Sequence, residues 1–183
     1  MFPAGRAMPA AAAAERVIIG IDPGLASLGY GLVVERGGQI AHMLHGCITT
    51  SASDPSEQRL KKIYEEIITL LERYRPSAGG IEALYFFRNV SSALPVAEAR
   101  GVIKLAFAAA GVPLAEFTPN QIKKAVTGTA RADKLQVQEM VRILLGLGAI
   151  PKPDHAADAL AAAICRINSE GPVGLGAVVI SSL

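Results

Sequence analysis

The chain lacks the features by which many functional classes are recognised. Only two cysteines occur, Cys47 and Cys165, one in a strand-like and one in a helix-like stretch, without metal-ligand spacing. No disulfide framework is expected; two buried thiols in a reducing cytosol fit better. No stretch approaches 18 strongly apolar residues free of charge or breaker, so no membrane span is expected. Residues 1–14 are Ala- and Pro-rich, lack the Leu, Ile or Val run of a signal peptide, and are broken by Pro3 and Pro9. They read as a disordered extension covering residues 1–15, with Met8 a second candidate start. There is no internal repeat, no Ser-His-Asp nucleophile elbow, no Walker loop and no dinucleotide fingerprint. Charge of one sign is also missing: the net formal charge is only +2. That is too mild to indicate nucleic-acid binding by itself, but a cluster of catalytic acids inside a basic rim would give the same total.

What is present is a hydrophobic fraction of 51% in 183 residues, enough for one well-packed domain and too short a chain for two. Residues 17–22 (VIIGID) form a β-branched run stopped by Pro23-Gly24, the pattern of a buried strand. Residues 30–35 predict a second strand, and Gly37-Gly38 a hairpin into a third over 39–49. Asp54 is expected to cap a helix with Pro55 in its first turn, its apolar face carrying Leu60, Ile63, Ile67, Leu70 and Leu71. A fourth strand is expected over 80–85, a helix from Asn89 or Ser91 to Ala110, and a fifth strand over 113–117. Helices then follow from Pro119 to near Gly128, from an Asp133 cap to Leu147, and from an Asp154 cap to about Asn168. A single domain thus spans 16–169, leaving a Gly-rich, then apolar, tail at 170–183. Three adjacent strands followed by alternating helices and strands predict an α/β fold: a mixed five-stranded sheet, an antiparallel meander continued by parallel strands, flanked by helices.

Asp22 ends a buried strand, where ligands bind in open α/β sheets, although Asp before Pro-Gly also suits a simple turn. Glu82 lies inside the apolar run Ile81-Glu82-Ala83-Leu84, where a charge is costly unless it is paired or binds a metal. A structural ion pair is the alternative. His155 and Asp158 are spaced i, i+3 on one helical face among alanines. Asp154 reads as the helix cap, and an acid near a helix start can simply complement the dipole. Asp22, Glu82, His155 and Asp158 form an oxygen-rich set with one nitrogen, suited to Mg²⁺ or Mn²⁺ rather than structural zinc. Two such ions per site can drive phosphodiester hydrolysis.

The segments IIGIDPGLASLGYGLV, IEALYFFRNVSSALPVAEARG and KPDHAADALAAAI closely resemble the RuvC Holliday-junction resolvases, in the same order and spacing, over about residues 17–168. The resemblance implies a ribonuclease H-like fold and a homodimer that nicks opposing strands of four-way junction DNA symmetrically. It also implies action with the RuvA-RuvB branch-migration proteins in a bacterial cytoplasm, in recombination and repair. The family's four metal positions fall on Asp22, Glu82, His155 and Asp158. Many members carry a carboxylate where this chain has His155; neutral imidazole still suits Mn²⁺ and can move a proton, so activity should weaken as pH falls through the His range. Tyr85, or Phe86 or Phe87 beside it, matches an aromatic that stacks on an opened base, with core packing the alternative. Arg88, Lys104, Lys123, Lys124, Arg131 and Lys134 would form a phosphate-binding rim, the strongest group being the loop 128–134, read as flexible. Any single Lys can also be plain surface. The helix from Ser92 to Ala110 resembles the dimer interface, though it can equally pack on the sheet. A YqgF-like nuclease shares the fold. An actin-like ATPase opens similarly but needs a second domain copy and an adenosine site, with no room for either here.

Overall fold

The structure is a computed structural model that describes residues 15–83 and 90–170. The expectations for residues 1–14, for Tyr85, Phe86, Phe87 and Arg88, and for the tail after 170 therefore lie outside the described residues.

β1 (Arg16–Asp22), β2 (Ser27–Arg36) and β3 (Gln39–Thr49) form an antiparallel meander. Gly37 and Gly38, both at positive φ, make the tight β2–β3 turn that side chains would strain. β4 (Ala78–Glu82) adds parallel to β1, and β5 (Leu114–Phe117) parallel to β4, giving the order β3-β2-β1-β4-β5. Two hydrophobic cores cover the two faces. On one face α1 (Ser56–Tyr74) and α2 (Val90–Ala109) bury Ile63, Ile67, Leu71, Ile103 and Phe107 against Ile19, Ile21 and Ile81. On the other, α5 (Asp154–Ser169), backed by α3 (Pro119–Thr127) and α4 (Lys134–Leu144), covers Ile18, Val33 and Ala78. The alternation of the central strands sorts their side chains between these cores.

The capping chemistry departs from expectation at two places. Pro55, not Asp54, stands at the N-cap of α1, with no side-chain cap, because the extended Pro55 backbone delays the first turn by one residue. Pro153 likewise precedes α5, so Asp154 is its first helical residue rather than its cap. Separately, β4 ends at Glu82 rather than at the expected residue 85; the Ala83 N–H donating to the Phe117 carbonyl at 2.7 Å is the last rung beside β5 among the described residues. Asp133 does cap α4, in a reciprocal box with Gln136, although the helix ends at Leu144, with Gly146 in the left-handed region. Both cysteines are free thiols, Cys165 buried and Cys47 only partly so. Among the described residues no helix is long and apolar enough to cross a membrane.

Candidate active site

β1 and β4 run in register to Ile21 beside Ile81. The next residues, Asp22 and Glu82, therefore end their strands side by side, on neighbours about 4.8 Å apart. Each lies two residues beyond a glycine facing α5, Gly20 and Gly80, so both carboxylates are directed to the α5 side.

The helix comes close because the sheet offers no bulk there. A Cβ on Gly20 would stand 1.9 Å from the Ala159 carbonyl oxygen. On Gly29, the register partner of Asp22, it would stand 2.0 Å from the His155 carbonyl oxygen. Buried alanines at 156, 157, 159 and 161–163 complete the small-residue contact. This seats the first turn of α5 over the end of β1, where His155 Nδ1 lies 2.6 Å from Asp22 Oδ2. One turn along, Asp158 is 3.2 Å from Lys134 Nζ, and the same ammonium lies 3.4 Å from Asp154.

Burial raises the Asp22 carboxyl above its usual range; the His155 hydrogen bond opposes this and the charge of Asp158 adds to it. Glu82 is pushed up to about 7 by burial, then by Asp22 and Asp158. Burial disfavours the Lys134 charge, but Asp158 and Asp154 outweigh it and raise its pKa. Among the described residues, no three acidic, histidine or cysteine groups stand close enough to hold an ion as they are. His155 is turned onto Asp22 and Lys134 onto Asp158. The donor set nonetheless fits a hard divalent cation: three carboxylates and an imidazole at one half-buried corner, with the two innermost acids resisting ionisation because they are buried beside the charge of neighbouring acids.

The expected rim residues divide into three groups. Lys123 and Lys124 on α3, with Arg131 beyond it, make no ion pair among the described residues. Lys134 belongs to the acidic corner, and Lys104 is bonded to Glu116 Oε1 at 2.7 Å. The loop before α4 is better tied than its glycine suggested: Thr127 Oγ1 donates to the Thr129 carbonyl, the Arg131 N–H donates to Thr129 Oγ1, and Ala132 is buried. Asp154 is ion-paired to Lys152 at 3.1 Å and to Lys134. One residue next to the site was not singled out from the sequence. Arg100, buried on α2, donates to the main-chain carbonyl of Glu82. The only signal for it was a basic residue within an apolar helix.

A mixed five-stranded sheet with a meander, parallel β4 and β5, and carboxylates at the adjoining ends of β1 and β4 under a helix defines a ribonuclease H-like nuclease. The family model for crossover junction endodeoxyribonuclease RuvC matches residues 18–166. The chain is 53% identical over 157 residues to the crossover junction endodeoxyribonuclease RuvC of Treponema denticola, covering 86% of this chain and 88% of that one. It is 53% identical to the Thermosipho melanesiensis RuvC over 148 residues, covering 81% and 94%. The solved Thermus thermophilus RuvC in complex with Holliday junction substrate superimposes with a TM-score of 0.81 at 36% identity, covering 85% and 94%. The chain belongs to the RuvC family and is an endodeoxyribonuclease.

Proposed function

We propose that this protein resolves four-way DNA junctions by cutting two opposing strands symmetrically at a divalent-metal site formed by Asp22, Glu82, His155 and Asp158. The observation that carries the reading is the side-by-side ending of Asp22 and Glu82 under the first turn of α5. It gains weight from a relative at 36% identity whose solved complex holds Holliday junction substrate. Mg²⁺ or Mn²⁺, as two ions per site, would supply an activated water and neutralise charge on the leaving oxygen. The chain's own part is to hold the four donors at one corner. Gly29 lets His155 reach Asp22, and Lys134 holds Asp158.

Lys123, Lys124 and Arg131 would engage phosphates. Tyr85 or Phe86 would stack on an opened base and Arg88 would add charge, as the resemblance implies. Symmetric cutting needs two sites, which a homodimer provides. α2 supports this: Leu94, Glu98, Gly101, Leu105 and Ala108 line one exposed face at helical spacing, with Leu94 58% and Leu105 61% exposed, while Ile103 and Phe107 pack on the sheet. The RuvA-RuvB complex is the partner expected to present the junction, in a bacterial cytoplasm. The test is cleavage of a labelled four-way junction against linear duplex DNA and RNA of the same sequence. Paired nicks in opposing junction strands support the reading, and preferred cutting of linear RNA or duplex would favour a YqgF-like nuclease.

A further inference from the structure

The buried Arg100 needs a physical reason, because a guanidinium taken out of water is costly unless its fork of donors is satisfied. Its two ends are used differently. Nη1 donates to the main-chain carbonyl of Glu82, and Nη2 donates to Glu116 Oε2 at 2.6 Å. The other Glu116 oxygen accepts from Lys104, one turn further along α2, at 2.7 Å. These contacts lie on the α2 face of the sheet: Glu116 is the register partner of Ile81, which packs in the core under α1 and α2. The Glu82 side chain is directed to the opposite face, toward the acidic corner. Glu82 is also the last residue of its strand, and the Ala83 rung continues the pairing with β5.

From this geometry we propose that Arg100 is a positioning residue for Glu82. Through one guanidinium it clamps the backbone at the end of β4 to Glu116 on β5, and so fixes the direction in which the Glu82 carboxylate leaves the sheet. The clamp acts from the face away from the metal site and touches neither substrate nor metal. A fork of two donors in fixed geometry suits this task, and a lysine in its place would reach only one acceptor well. Lys104 completes the clamp by holding Glu116, which accounts for its position away from Lys123, Lys124 and Arg131.

The proposal rests on Glu82 acting at the metal site, so the experiment carries Glu82→Gln in parallel with Arg100→Lys and Glu116→Gln. Glu116 is partly exposed, and its substitution by Gln removes the charge of one arm while leaving an amide oxygen that can still accept from the buried Arg100. Four quantities are read on full-length protein: kcat and KM for junction cleavage, junction Kd without metal, and Mn²⁺ affinity by electron paramagnetic resonance. Arg100→Lys should lower kcat at least tenfold and weaken Mn²⁺ binding several-fold, with KM and metal-free Kd within twofold of wild type. Glu116→Gln should shift the same two quantities in the same direction by less. Wild-type kcat and Mn²⁺ affinity in Glu116→Gln would overturn the proposal even where Arg100→Lys does not fold. So would a parallel loss of kcat, junction affinity and thermal stability, which marks a purely structural arginine. If Glu82→Gln itself cleaves normally, the site assignment fails; if it is inactive while Arg100→Lys matches wild type, only the clamp fails.

Discussion

Gly29 lies directly beneath His155: a methyl group there would meet the His155 carbonyl oxygen at 2.0 Å and its carbonyl carbon at 2.4 Å. Because Gly29 is also the register partner of Asp22, this absent side chain allows strand and helix to share a hydrogen bond. Gly29→Ala should push the start of α5 off the sheet. The expected cost is about 1–3 kcal/mol of stability, seen as a melting temperature lower by roughly 3–10 °C, with cleavage reduced more than tenfold. A variant with wild-type cleavage and melting would show that the close approach is not needed.

The raised Glu82 carboxyl predicts an unusual pH dependence of stability. Folded Glu82 titrates near 7 against an ordinary 4.5, so between these values the folded state binds the proton more tightly than the unfolded state. Stability of the metal-free protein is therefore highest below about pH 4.5 as far as this group is concerned. It falls as pH rises to 7, by on the order of 2 kcal/mol after allowance for partial exposure. Glu82→Gln should flatten this decline and raise the melting temperature at pH 8, and added Mg²⁺ should stabilise wild type more than the variant. Calorimetry from pH 5 to 8 checks it; identical slopes in both proteins would contradict it.

Lys134 and the pair Lys123-Lys124 should behave differently. Lys134 is engaged by Asp158 and Asp154, whereas the α3 lysines have no such partner among the described residues. Lys123→Gln with Lys124→Gln should weaken junction binding and reduce the salt slope of log K by roughly 1–2, about 0.9 for each phosphate no longer neutralised. Lys134→Gln should leave that slope nearly unchanged while lowering kcat. Fluorescence titrations at several salt concentrations separate the two, and equal slopes for both variants would place Lys134 on the phosphates.

Much of this site was legible in the sequence, and for a physical reason. Glu82 in an apolar strand and Asp158 among alanines are expensive placements, and expensive residues stand out in a sequence. The meander and the parallel strands could be read from turn glycines and β-branched runs. Arg100 could not be read, because its burial depends on Glu116, sixteen residues away on another strand, and on a register that no local pattern encodes. The engagement of Lys134 with Asp158 was hidden for the same reason: in sequence it is one basic residue of a loop. The Asp54 and Asp154 caps failed more narrowly, since each precedes or begins its helix beside a proline that takes the cap position.

The exposed stripe on α2 predicts that Leu105→Glu, in the middle of the face carrying Leu94, Gly101 and Ala108, breaks the proposed homodimer. Sedimentation should show the mass falling from two chains to one, with paired nicking replaced by unpaired nicks or none. Wild-type mass for this variant would move the interface elsewhere.

The most direct test of the central claim compares wild type with Asp22→Asn on a labelled four-way junction in Mg²⁺ or Mn²⁺. The wild type should nick two opposing strands at symmetric positions. Asp22→Asn should bind the junction with similar affinity and cut it roughly a hundredfold more slowly or worse. Cleavage by Asp22→Asn at the wild-type rate would contradict the metal site assigned to the ends of β1 and β4.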